Sequence, residues 1–294
     1  VAILYMILGQ FSWWTFGLGL LYFALCGLSI TGGYHRLFSH PTYRARGFLR
    51  FFYLFFGAAS VQNSALKWSS DHREHHGEVD TEQDPYNIKA GFWWAHLGWV
   101  LVKDEKVELD NVKDLKKDKL VMLQHRYYIL FVALSLIGLP YALGSIWGDP
   151  IGAVLVAGFL RLVIQWHATF SVNSVAHIIG NQPYSTKNSA RDSVVTAFIT
   201  LGEGYHNYHH AFQHDYRNGV KPWQFDPTKW MIWVLSKLGL TSNLRRVSDE
   251  KILLAEMREA CRQADKVKAI EPETALSEKA MEAFHDFSQR LTDS

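Results

Sequence analysis

Trp13 to Ile30 is a run of 18 residues without a charge, close to the ~20 that a helix needs to cross the hydrocarbon core of a bilayer. The competing reading is a buried helix of a soluble core. Two more apolar runs, Tyr127 to Trp147 and Ile151 to Phe170, form a hairpin around Gly148-Asp149-Pro150. That turn carries no Lys or Arg, whereas the segment after Ile30 carries Arg36, Arg44, Arg46 and Arg50, and the segment after Phe170 carries Lys187, Arg191, Arg217 and Lys221. The positive-inside bias therefore places the basic ends in the cytoplasm and the turn on the far side. Lys103 to Arg126, rich in lysines and acids, is expected in water on the cytoplasmic side. Phe51 to Val61 is apolar over only about 11 residues, too short to span, and is expected to dip into the interface or pack against the spans. Arg161 interrupts the last run; an intramembrane charge is costly and is expected to face protein or a polar cavity. Val1 to Leu8 reads as the tail of a further span that turns at Gly9-Gln10-Phe11-Ser12, and the chain is expected to be truncated at its N-terminus.

The 294 residues are 48% apolar, with a formal charge of +2. That balance gives no argument for nucleic acid, and the length suits one large domain, 1–250, followed by a charged helical tail, 251–294. Cys26 and Cys261 lie far apart in an apolar run and a charged stretch, which fits a reducing compartment rather than a disulfide framework.

The histidines are concentrated. His72-Arg73-Glu74-His75-His76 places three imidazoles in one helical turn; at about 100° per residue His75 and His76 diverge to either side of His72, an arrangement better suited to two metal ions than one. His206-Asn207-Tyr208-His209-His210 repeats the spacing. His35 and His40 form a third cluster; five apart, they stand about 140° from one another on an ideal helix, so the helix is expected to end between or just after them, as Pro41 encourages. The charge reading puts all three boxes on the same side of the membrane. Asn173 and His177, four apart on the continuation of the last span, are expected to share a face, and His177 joins the candidate ligands. His96, His125, His167, His214 and His285 lack partners at ligand spacing and are expected to be structural.

Neutral imidazole suits iron, copper, zinc and nickel. Nine histidines are too many for one ion and fit two of four or five ligands each. Structural zinc usually takes a closed set of four. A histidine-rich pair of irons beside a membrane points to oxygen activation on an apolar substrate.

At this point the chain resembles the membrane fatty acyl desaturases, and within them the stearoyl-CoA (Δ9) branch. The resemblance rests on Gly32-Gly33-Tyr34-His35-Arg36-Leu37-Phe38-Ser39-His40, Asp71-His72-Arg73-Glu74-His75-His76, Gly202-Glu203-Gly204-Tyr205-His206-Asn207-Tyr208-His209-His210, Asp84-Pro85 with Gly98-Trp99, and Val172-Asn173-Ser174-Val175-Ala176-His177. It covers roughly residues 13 to 250. It implies an all-α membrane protein with a four-span helical fold, the first span truncated here, and a cytosolic helical cap. It also implies a di-iron centre held by His35, His40, His72, His75, His76, His177, His206, His209 and His210, with Asn173 holding a water on one iron. The implied reaction is O2-dependent removal of two hydrogens from a saturated acyl chain, at Δ9, with electrons from an external donor. Gln62, Trp68 and Thr169 match the family's tunnel-shaping Gln, Trp and Thr; their alternative reading is ordinary packing at the membrane interface.

Two departures bear on the substrate. Ser70 stands where the acyl-CoA enzymes have Arg, and Lys103-Asp104 where they have Arg-Lys. CoA phosphates need cationic partners, and Lys67 or Lys89 are candidates to replace the lost charges; the carrier stays open between acyl-CoA and a membrane phospholipid. No His-Pro-Gly-Gly element is present, so the donor is expected to be a separate ferredoxin or cytochrome b5-type protein with its reductase. The competing functions are a histidine-box alkane or lipid hydroxylase and, more remotely, a non-redox membrane zinc protein.

Overall fold

The computed structural model describes residues 1–10, 12–102 and 109–270; Phe11, Lys103-Asp104, His285 and the tail beyond Ile270 lie outside the described residues. Among the described residues, three helices are long and apolar enough to cross a membrane: Trp13–Ser39, Tyr128–Ile146 and Pro150–His177. Gly47–Ala58, at 12 residues, is the shorter apolar helix. At 1.5 Å per residue it reaches about 18 Å against the ~30 Å of a hydrocarbon core. Val1 to Gln10 contributes the short helical segments Ala2–Tyr5 and Met6–Gln10.

The hairpin turn is fastened to the N-terminal side of the molecule. Asp149 caps the third long helix by accepting from the Gly152 amide at 3.0 Å, and its carboxylate also accepts from Tyr5 Oη (2.6 Å) and Thr15 Oγ1 (2.5 Å). Arg161 faces protein: its guanidinium donates to the carbonyls of Ala157 and Ala59 and to Gln165 Oε1. The Ala59 carbonyl lies just past the end of Gly47–Ala58, so the buried cation fastens that short helix to the last span.

The first long helix changes character along its length. Trp13–Leu28 is regular, but Ser29–Ser39 is wound in the wider π register. Gly33 lies in this stretch, where a Cβ would sit 2.6 Å from that of Tyr53; glycine lets the two helices touch backbone to side chain. Beyond the spans, a two-stranded antiparallel pair (Arg44–Ala45 with Thr241–Ser242) and the helices Ala65–Glu78, His206–Ala211, Pro227–Lys237 and Asp249–Ile270 gather at one end of the bundle. Tyr34, Tyr43, Tyr53, Leu66 and Ile232 form the core there. Asp249–Ile270 packs Ile252 against Tyr184 and Tyr208, over the second His-x-x-His-His box.

Candidate metal centre

All nine singled-out histidines come together, in two groups. His35, His40, His72, His76 and His209 form one, and His75, His177, His206 and His210 the other; within each, one ring nitrogen per residue lies within 4.8 Å of all the rest. Ala65–Glu78 is a regular α-helix, so His72 and His76 turn to the first group and His75 to the second. His206–Ala211 divides in the same way, His209 joining the first group and His206 with His210 the second.

The π register explains His35 and His40. The His40 amide donates to the His35 carbonyl at 3.2 Å, five residues back, and one turn of this winding brings the rings to 5.0 Å between centroids. The helix ends at Ser39, between the two histidines as expected, and the widened winding up to that point adds what the spacing did not show. The structure corrects the reading of Asn173 and His177. The α-helix ends at Asn173, and His177 is delivered by a separate 3-10 turn, Val175–His177. They do not share a helical face.

The Nε2 atoms face each other closely: His35 and His209 at 3.0 Å, His40 and His72 at 2.8 Å, His76 and His209 at 2.9 Å, His177 and His206 at 3.1 Å, His206 and His210 at 3.1 Å. Two ligands about 2.1 Å from one ion and at right angles stand about 3.0 Å apart, so these spacings fit imidazoles sharing a metal. His75 Nε2 is buried without a hydrogen-bond partner among the described residues, a donor atom held ready for something other than protein. Burial, reinforced by neighbouring rings, keeps His40, His72, His76, His206, His209 and His210 well below the ordinary imidazole range. These rings are neutral, the state in which imidazole ligates.

Behind the rings stand acids that the sequence reading passed over. Glu203 Oε2 accepts from His35 Nδ1 at 2.7 Å, and Asp84 Oδ1 from His75 Nδ1 at 2.8 Å. Ser189 Oγ lies 2.7 Å from His177 Nδ1 and donates to Asp80 at 2.5 Å. Each contact keeps the proton on Nδ1 and aims the Nε2 lone pair into the cluster. Burial would raise the Glu203 carboxyl, but His35 and Arg36 outweigh it and hold it at about 2. Arg36 also pairs with Asp226 at 3.0 Å. In the sequence the signals were a charged residue between two glycines just before a histidine box, and an Asp fixed by the following Pro85.

An apolar cavity runs from the centre into the bundle. Its lining includes Phe23, Gly27, Ala168 and Leu201 at the deep end and His35, His72, His75 and His206 at the centre. A second cavity leads outward past Tyr86, Leu97 and Trp99, and both touch Trp68, His72, Thr169 and Asn173. At this junction Trp68 Nε1 donates to Gln62 Oε1 (3.3 Å) and Gln62 Nε2 to Thr169 Oγ1 (3.1 Å). The three singled-out residues thus form one chain of hydrogen bonds.

Three other histidines are paired outside the two clusters. His96 bonds Ser174 (2.9 Å) and His167 (3.1 Å), a pairing that sequence spacing did not reveal, and His125 bonds Ser64 (2.7 Å). His214 is exposed. Lys67, a candidate phosphate partner, is buried and paired with Asp71, which removes it from that role; Lys89 stays exposed. Ser70 Oγ donates to Asn111 at 2.7 Å.

Apolar spanning helices and two adjoining all-imidazole clusters beside an apolar cavity define a class of membrane-inserted helical protein with a histidine-rich metal site. The family model for fatty acid desaturases matches residues 11–238, and the chain belongs to that family. It is 46% identical over 236 residues to a probable acyl-CoA desaturase of Schizosaccharomyces pombe, covering 79% of this chain and 49% of that protein. With acyl-CoA desaturase 1 of Saccharomyces cerevisiae it shares 43% over 252 residues (84% and 49%), and with stearoyl-CoA desaturase 4 of Mus musculus 39% over 247 residues (82% and 70%). The chain spans about half the length of the two yeast relatives.

Proposed function

We propose that this chain is an O2-dependent fatty acyl desaturase that places a cis double bond, at Δ9, in a saturated acyl chain. The observation that carries this reading is the pair of imidazole clusters opening directly onto an apolar cavity. Two irons held by the nine rings would supply oxygen activation. In balance, –CH2–CH2– and O2, with two electrons and two protons from outside, give –CH=CH– and two waters. The residues do the positioning. Glu203, Asp84 and Asp80 with Ser189 fix the ring tautomers, and Asn173, bordering both cavities, would hold a water on one iron. A methylene offers no polar handle, so the cavity walls must select the bond presented to the centre. The Trp68–Gln62–Thr169 chain would set the bend between the inner and outer cavities. The basic ends of the spans support a cytoplasmic centre, Val1 to Gln10 supports a fourth span, and electrons would come from a ferredoxin or cytochrome b5-type donor.

The relatives' names favour acyl-CoA as the carrier. A membrane phospholipid is the second reading, favoured by one observation: the described lining of the outer cavity includes Asp71 and no Lys or Arg. Deuterium-labelled stearate fed to a desaturase-deficient host expressing the protein tests the reaction, read by gas chromatography and mass spectrometry. A Δ9 monoene and two irons per purified chain are expected. A hydroxylated chain would move the protein to the lipid hydroxylases, and a single zinc with no oxygen consumption would end the redox reading.

A further inference from the structure

The last helix, Asp249–Ile270, does more than cover the second histidine box. Between it and the segment from Tyr184 to Asn188 lies an open groove of about 870 Å³. His210 lines the groove and also belongs to the second cluster. Four cations border it, Lys187, Lys251, Arg258 and Arg262, all exposed. Among the described residues the one bordering carboxylate, Glu259, is buried, accepts from the Thr186 amide at 3.2 Å and lies 3.9 Å from the Arg262 guanidinium, offsetting one of the four charges. The wall facing solvent stays positive, and a partly exposed imidazole of the cluster lies in it.

Two kinds of anion suit such a surface: a phosphate-bearing acyl carrier or an acidic protein. The lining decides between them. The two apolar cavities meet the centre at His35, His72, His75 and His206, and among the described residues they share no lining residue with the groove. A carrier phosphate seated here would have its acyl chain on the wrong side of the imidazoles. An electron needs no cavity, only a group in contact with both sides, and His210 is that group.

We propose that this groove is the docking surface for an acidic one-electron carrier protein, and that electrons reach the centre through the His210 imidazole. The proposal rests on the desaturase reading for its purpose: two reduced carriers, docking in turn, each give one electron and leave oxidised, supplying the two electrons of the balance above. Opposite charge across the approach raises the encounter rate and makes it sensitive to salt.

The test uses the iron-loaded full chain with the soluble haem domain of cytochrome b5 as carrier. The charge-reversed variant is Lys251→Glu/Arg258→Glu/Arg262→Glu; Lys116→Glu/Lys117→Glu, exposed cations that do not line the groove, is the control. The triple variant is expected to raise the KM for the haem domain about tenfold or more and to flatten its salt dependence. Its KM for the acyl substrate, its iron content and its single-turnover yield after dithionite reduction should match the parent protein and the control. Binding of the haem domain is followed in parallel by isothermal titration. Equal binding by parent and triple variant overturns the docking surface whatever the turnover, and a rise in acyl-substrate KM instead assigns the groove to a phosphate group. Failure of the parent protein to form product even after dithionite reduction counts against the desaturase reading, and the titration still decides the groove.

Discussion

Glu203, Asp84 and Asp192 all turn their carboxyls inward, and their surroundings send them in opposite directions. Burial pushes each of them up. At Glu203 and Asp84 it is outweighed, by His35 with Arg36 in the first case and by the His75 hydrogen bond in the second, so both sit low. Among the described residues no cation offsets burial at Asp192. Burial pushes it up to about 7; amides of Tyr208 and Asn207 pull down against this, and Glu256 adds to the rise. The sign follows from proton linkage. The folded chain holds the Asp192 proton over a range in which the unfolded chain, with a carboxyl near 3.8, has lost it. Stability from this group therefore declines as pH rises from about 4 towards 7 and stays at its low level above that. Asparagine keeps the oxygen that accepts from the Tyr208 amide (3.0 Å) and removes the charge. Asp192→Asn is expected to unfold at a higher temperature than the parent at pH 8, the difference shrinking towards pH 5, in thermal melts of the detergent-solubilised protein. A variant less stable than its parent at pH 8 would show that the carboxylate is favourably held.

The winding of single helices decides which histidines meet. Ala65–Glu78 is regular, so the divergence of His75 and His76 to either side of His72 was legible from 100° per residue alone, but not that His72 shares its group with His76. Spacing read with the same angle misplaces His35 and His40, because five residues close a turn only in the π register, and nothing in the sequence between them announces it. The end of the α-helix Arg161–Asn173 in the last span was equally hidden, since the break at Ser174 carries neither Gly nor Pro. The acids behind the rings come from neighbouring segments, and a search for ligand spacing within one helix passes over them. Gly33 is where the π stretch meets Gly47–Ala58. Gly33→Ala would drive a methyl group into the Tyr53 ring, whose Cγ lies 2.7 Å from the added carbon. Overpacking of this kind costs about 1–3 kcal/mol, and here it displaces the turn that carries His35. Lower thermal stability and reduced iron per chain are expected together, by melting and metal analysis of the same preparation. Full iron with a lowered melting point would mean that the centre does not depend on this contact.

At the scale of the whole molecule, the three long helices separate a basic end from a turn that carries Asp149. Tyr128–Ile146 alone, 19 residues, covers about 28 Å at 1.5 Å per residue, close to the hydrocarbon thickness. The spans were legible because charge-free runs of that length have few other uses. Their packing was not, because a buried Arg161 and the Asp149 ties are pairings across long sequence distances. The proposed orientation has a direct consequence for access. Lys116 is exposed at the end holding the histidine boxes and Ser145 at the turn. Cys26 is buried, so in a Cys261→Ser background a single introduced thiol reports its own side. In sealed microsomes, whose outer face is cytoplasmic, a membrane-impermeant maleimide is expected to label Lys116→Cys at once and Ser145→Cys only after detergent. The reverse pattern would put the centre in the lumen, out of reach of a cytoplasmic electron carrier. Labelling of both before detergent would mean that the Tyr128–Ile146 and Pro150–His177 pair does not cross the bilayer at all.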